Sequence, residues 1–245
     1  MICVSICAGT QKQALHDIAQ SAGFCDMLEL RMDEIADGRL GELMAYIAKL
    51  DPGKLVLVTY RKTKSKIRKV GTRTDQFAQE KAKAIQRWEV LQDAVRRRAA
   101  YVDVELEDGD DEIAALKDLI RKNGCRTKLV CSHHDFQKTP SLKGLKSLYQ
   151  ACVKKGADVV KIVPYARTAE DNIRVFQFLT WAKKQEKDII AFCMGEKGRL
   201  SRIAAPLFGA AFTFAALDER SAAAPGQIAA KDLAKILGIL ERTGA

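Results

Sequence analysis

Short apolar runs alternate with longer amphipathic stretches along the whole chain. Residues 2–7 form an apolar run, 11–22 have helical character and stop at Gly23, and 26–31 read as a second strand. A helix is predicted over 40–50, closed by Asp51-Pro52-Gly53, and a third strand over 55–60. A long helix over 75–98 follows, with Ile85, Trp88, Leu91 and Val95 on one face. Next come a strand over 101–106 and a helix over 111–122, with acids at its start and Gly124 just past its end. Strand five covers 128–132, and Leu142, Leu145, Leu148, Tyr149 and Cys152 mark the face of the next helix. Strand six covers 158–163, and Thr168 is placed to cap a helix running to Lys184. Strands over 188–194 and 211–214 and helices over 200–208 and 228–240 complete the order.

Eight strand–helix units with no linker between them fit one (β/α)8 TIM barrel, an α/β single domain spanning residues 1–245. The strands are continuous apolar runs, as expected where both faces of a parallel sheet are covered. A doubly wound open sheet is the alternative. Ala8-Gly9-Thr10 after the first strand is too sparse for its phosphate-binding turn.

Composition narrows this only a little. Hydrophobic residues at 47% and charged residues at 29% suit a globular protein with a sizeable core. The apolar start is short and has no basic leader, so it is not read as a signal peptide, and no run is long enough to span a membrane. The cysteines number 7, an odd count, without a CxxC pair, which fits reduced thiols and a cytoplasmic location. Cys131-Ser132-His133-His134-Asp135 matches no standard zinc spacing, so no metal and no cofactor is expected. The net charge of +10 is partly concentrated in Arg61, Lys62, Lys64, Lys66, Arg68, Lys69 and Arg73, with Arg96-Arg97-Arg98 as a second cluster. The first stretch lacks the interleaved aromatics of a stacking platform, which argues for a solvated loop attracting a small anion rather than nucleic acid.

One residue breaks the apolar pattern of the strands. Lys161 lies inside Val159-Val160-Lys161-Ile162-Val163, where an ammonium group needs a reason. Barrel chemistry sits at the C-terminal ends of strands. Polar residues collect there: Ser5, Glu29, Arg31, Arg61, Glu105, Glu107, His133, His134, Asp135 and Lys161, with Met194, Phe214 and, just beyond strand seven, Arg202. Each has an ordinary structural reading alone, but a structural network rarely needs so many charges at one mouth. A desolvated lysine near other cations loses affinity for its proton and can attack a ketone to form a Schiff base. A histidine can move the neighbouring proton, and an arginine can clamp a carboxylate. The combination suggests a cofactor-free lyase acting on an anionic keto compound.

The same residues resemble the type I 3-dehydroquinate dehydratases of the shikimate pathway. The resemblance rests on Val4-Ser5-Ile6, Leu28-Glu29-Leu30-Arg31-Met32-Asp33, Tyr60-Arg61, Asp103-Val104-Glu105-Leu106, and His134-Asp135-Phe136-Gln137-Lys138-Thr139-Pro140. It continues through Gly156-Ala157-Asp158-Val159-Val160-Lys161, Ser201-Arg202, Phe208-Gly209 and Ala224-Pro225-Gly226-Gln227. It implies a homodimeric (β/α)8 barrel converting 3-dehydroquinate to 3-dehydroshikimate and water, without metal or cofactor. Lys161 would form the imine and His134 would act as general acid and base. Arg202 would bind the substrate carboxylate, and Gln227 would help close the last loop. Glu29, Arg31 and Arg61 would hold hydroxyls, with Ser5, Met194 and Phe214 completing the wall.

The chain departs from that pattern twice. Ser65 stands near the position of a glutamate after the third-strand arginine, and Ala223 replaces a serine in the closing loop, leaving Ser221 as the nearby serine to reach in. Two alternatives stay open: an aldolase-like Schiff-base barrel, and a diverged member whose basic loop binds an anion or nucleic acid.

Overall fold

In a computed structural model, residues 1–62, 73–124, 126–218 and 220–241 are described. Eight strands and eight α-helices alternate along them: β1 (Ile2–Ile6), α1 (Gln11–Ser21), β2 (Met27–Arg31), α2 (Leu40–Leu50), β3 (Leu55–Thr59), α3 (Arg73–Arg96), β4 (Tyr101–Glu105) and α4 (Asp110–Lys122). They continue with β5 (Lys128–Asp135), α5 (Leu142–Lys154), β6 (Val159–Pro164), α6 (Glu170–Ala182), β7 (Asp188–Ala191), α7 (Arg199–Ala204), β8 (Thr213–Ala215) and α8 (Ala230–Glu241). All strand pairs are parallel, in the order β7-β6-β5-β4-β3-β2-β1-β8. The Ala211 N–H donates to the Ile189 carbonyl at 2.8 Å across the remaining seam between β7 and the approach to β8. The expected barrel is therefore present and nearly closed, and the open-sheet alternative falls.

Contacts across the barrel identify its interior face. β4 and β8 are not sheet neighbours, yet the rings of Tyr101 and Phe212 meet edge-on at 5.6 Å. Phe214 lies 5.5 Å from Phe212 and 5.8 Å from Phe192. These rings floor the barrel beneath the polar mouth. Alternate residues share a strand face, so Ser132 and His134 of β5 point inward, while Cys131 and His133 face away. That parity separates the residues of the apparent metal signature. His133 Nδ1 instead meets Glu107 Oε1 at 2.7 Å.

Several boundaries differ from the sequence expectations. β5 runs on to Asp135 because its ladder with β6 continues through His134↔Val163 and Asp135↔Pro164. His134 thus sits on a strand rather than in the loop after it. β7 leaves the ladder at Ala191, and Met194 makes an isolated parallel bridge to Tyr165. Leu91 and Val95 are buried as expected, with Ala94 beside them and Trp88 partly buried, but Ile85 is exposed. Thr168 does not cap α6 with its side chain; Asp171 Oδ2 reaches back to the Arg167 and Thr168 N–H groups at 2.8 and 3.1 Å. The helix expected over 200–208 ends as α7 at Ala204 and tightens into a 3-10 turn carrying Pro206. No helix among the described residues is long and apolar enough to cross a membrane.

Candidate active site

A cavity of about 580 Å³ opens at the C-terminal ends of the strands. Ser5, Glu29, Arg31, Arg61, His134, Lys161, Met194, Arg202, Phe214 and Gln227 all line it. Ser221 does not. Its hydroxyl lies with Asp218 in an exposed turn, donating to the Asp218 carboxylate at 2.9 Å and accepting from the Asp218 N–H. Ala223 and Ala224 line the cavity on that side. Ser65 and most of the basic loop lie outside the described residues.

Lys161 is 4% exposed. Its Nζ is 3.2 Å from Asp103 Oδ2, 3.7 Å from Glu29 Oε1 and 4.1 Å above the centre of the Phe214 ring. The sequence alone predicts other cations around this amine. In the fold its nearest polar partners are two carboxylates, because β2 and β4 face β6 across the barrel. Glu29 is held by the Ser5 and Thr59 hydroxyls, at 2.5 and 2.8 Å. Asp103 takes both ends of the Arg61 guanidinium, at 2.9 and 2.7 Å, and the Ser132 hydroxyl at 2.6 Å. Burial favours the neutral form of each acid, but the cations outweigh it. Arg61 and Lys161 hold the Asp103 carboxyl well below the usual carboxylate range. Lys161 and the arginines lower that of Glu29. Both acids are therefore anions at neutral pH.

His134 shares the cavity, and its ring stacks on Phe136 at 6.2 Å. Burial depresses its proton affinity well below the ordinary value, and the nearby Arg61 and Lys161 charges push it further down. The imidazole is neutral and able to accept a proton.

Arg202 presents the sharpest mismatch between charge and surroundings. It is 1% exposed on α7, and its Nε has no hydrogen-bond partner among the described residues. Its Nη2 donates a long 3.4 Å bond to the Pro225 carbonyl, and its guanidinium lies 4.6 Å from the Phe192 ring centre. Burial brings its pKa down to about 10, with the Cys193 thiol opposing only in part. A buried cation without a counter-ion is costly, and the cavity beside it offers room for an anionic ligand. Arg31 is differently placed. Asp33 grips it through two bonds of 3.0 and 2.7 Å, and Glu34 adds a third at 3.2 Å.

The closing loop rests on Gln227, whose Oε1 accepts from the Ala223 and Ala224 N–H groups at 2.6 and 3.3 Å. The Gly195 N–H donates to the Pro225 carbonyl at 3.0 Å, which seats the loop on the turn after β7. At the root of the basic loop, the described cations are neutralised. Arg61 pairs with Asp103, and Lys62 meets Asp108 at 2.7 Å while its backbone N–H bonds Glu105 at 2.9 Å.

Asp103, Ser132 and Thr59 received no site role from the sequence. The period of two would have found them: each lies two residues before Glu105, His134 or Arg61 on its own strand. Phe136 and Phe192, which line the cavity beside His134 and Arg202, carried no comparable signal.

A family model for type I 3-dehydroquinase matches residues 2–243. The 3-dehydroquinate dehydratase of Desulfotalea psychrophila is 33% identical over 95% of this chain and 94% of its own. That of Pyrococcus abyssi is 32% identical over 98% of each chain. The solved type I 3-dehydroquinate dehydratase of Clostridium difficile superposes with a TM-score of 0.81 at 25% identity, over 99% of this chain and 92% of that one. Sequence match and barrel geometry agree along nearly the whole length: the chain belongs to the type I 3-dehydroquinase family and is an enzyme of that lyase class.

Proposed function

We propose that the enzyme eliminates water from 3-dehydroquinate to give 3-dehydroshikimate through a Schiff base on Lys161. The observation that carries this reading is the placing of Lys161 and a buried Arg202, which has no carboxylate partner among the described residues, in one cavity that also holds a neutral His134. Arg202 takes the substrate carboxylate, which supplies the missing counter-ion and places the ring over Lys161. The free amine of Lys161 attacks the ketone, and loss of water leaves an iminium that draws electrons from the adjacent carbon. His134 removes the proton from that carbon and returns a proton to the departing hydroxyl. Hydrolysis of the imine frees the product and the lysine. Glu29, Arg31 and Arg61 hold the ring hydroxyls, Ser5, Met194 and Phe214 form the wall, and Gln227 keeps the loop closed.

No step calls on a metal or cofactor. The reading extends to a cytoplasmic homodimer, which light scattering on the purified protein tests. The support for the dimer is the exposed apolar set Leu200, Leu207, Phe208 and, on α6, Ile173; α6 packs against α7 and the 3-10 turn that follows it.

Incubation with 3-dehydroquinate should raise ultraviolet absorbance as the conjugated enone forms. Borohydride added with the substrate should leave adduct mass on Lys161. No turnover and no adduct would sink the proposal. Adducts with other keto acids or keto sugars, but not with 3-dehydroquinate, would favour the aldolase-like alternative.

A further inference from the structure

A Schiff base can draw electrons only while its nitrogen carries a proton, and an imine in water loses that proton near neutrality. The site holds cations as well as anions, so something must keep the nitrogen charged. Around Nζ, β1 contributes the Cys3 thiol, β2 contributes Glu29, and β4 contributes Asp103. Arg61 follows β3, His134 comes from β5, and β8 supplies the Phe214 ring. Arg61 and any protonated His134 repel a charged nitrogen, so the two carboxylates decide the balance.

Those carboxylates are not equivalent. Glu29 stands 3.7 Å from Nζ, beyond hydrogen-bond reach, and both its oxygens already accept hydroxyl hydrogens from Ser5 and Thr59. Asp103 Oδ2 is 3.2 Å from Nζ and accepts from it. Asp103 is itself 1% exposed and fixed by Arg61 on one side and Ser132 on the other. It cannot swing away when Nζ changes from amine to imine.

Building on the Schiff-base reading above, we propose that Asp103 is the counter-ion that keeps the imine nitrogen of Lys161 protonated. The nitrogen lone pair of Lys161 forms the carbon–nitrogen bond, and the carbonyl π electrons move to oxygen. That oxygen leaves as water after taking one hydrogen from the nitrogen and one proton from solvent relayed by His134, and the nitrogen retains one hydrogen. This N–H donates to Asp103 Oδ2, the oxygen that Nζ already reaches at 3.2 Å. Asp103 takes no proton at any step, in keeping with a carboxyl held far below its ordinary range. Its work is electrostatic, and a fixed anion in a buried site is well suited to it.

The test is the pH dependence of kcat and of borohydride trapping in Asp103→Asn, beside the wild type and Asp103→Glu. With the anion gone, the imine loses its proton at lower pH. Asp103→Asn should come closest to the wild type on the acid side, then fall by about tenfold per pH unit above a new limb. Asp103→Glu should regain much of the wild-type profile. A merely structural role would lower activity evenly at every pH, and an evenly lowered or unchanged profile overturns the proposal.

A second measurement needs no variant. The C=N stretch of the wild-type intermediate should shift in heavy water even at about pH 9, because only a protonated nitrogen exchanges deuterium there. No shift overturns the counter-ion role even where trapping succeeds. No adduct on the wild type overturns the Schiff-base reading, and this proposal with it.

Discussion

Arg202 is a residue whose surroundings make sense only with something bound. It is charged and buried, and it pairs with no carboxylate among the described residues. Most buried arginines pair with an acid, as Arg87 does here with Asp108 at 2.9 and 2.5 Å. Removing Arg87 would leave the buried Asp108 with Lys62 as its remaining cation; removing Arg202 deprives no carboxylate among the described residues of a partner. Replacing Arg202 with a long apolar side chain should therefore leave stability unchanged or raise it while damaging binding. Arg202→Met is expected to melt at or above the wild-type temperature. Its KM should rise on the order of 100-fold or more, since losing one partner of a desolvated charge pair costs about 2–5 kcal/mol. Thermal melting and steady-state kinetics on the same preparation check both halves. A variant that is clearly destabilised and still binds normally would assign Arg202 a structural role instead.

At the scale of elements, strand parity explains what the sequence made legible. Lys161 stood out because an ammonium interrupts a run of β-branched residues, and His134 because its motif is unusual. Asp103 and Ser132 carry no role in the sequence reading, although they share their strand faces with residues that do. Their roles arise from register between strands, Ser132↔Lys161 and Glu105↔Ser132, which no single run of sequence displays. The closing loop was legible in outline through Pro225-Gly226-Gln227, but not its seat on Gly195. Gly226 has φ +80, and a Cβ there would collide with the Gly195 carbonyl. The loop must come this close for Pro225 to accept from Gly195 and for Gln227 to hold Ala223. Gly226→Ala should thus lift the loop without touching the amine. The left-handed backbone alone costs about 1–2 kcal/mol for alanine, and the collision adds to it. A raised KM with Lys161 still trapped by borohydride is the expected result. A wild-type KM would show that the loop closes without this contact.

For the whole molecule, the barrel order was readable because each strand–helix unit repeats one pattern. What escaped was the long-range network of charges, since Arg61, Asp103, Glu29 and Lys161 come from four separate strands or their ends. That network links stability to pH in a definite sense. His134 is held neutral in the fold, below its ordinary value of 6.5. As pH falls through about 6.5, the unfolded chain takes up a proton that the folded chain refuses, so stability declines from there. Asp103 and Asp108 are depressed below 3.8 and Glu29 below 4.5, so their contribution is present above those values and lost as pH falls beneath them. Glu105, shifted upward by burial, works in the opposite direction just above 4.5 and offsets a part. The melting temperature should therefore fall in two stages on acidification, gently below about pH 6.5 and steeply below about pH 4. His134→Gln removes the first stage while keeping the ring's volume roughly filled. Its melting curve should stay flat between pH 6.5 and 5, where the wild type declines by up to about 1.4 kcal/mol per pH unit. If the variant declines like the wild type, the proton taken up on unfolding belongs to another group, and His134 is not held neutral by the fold.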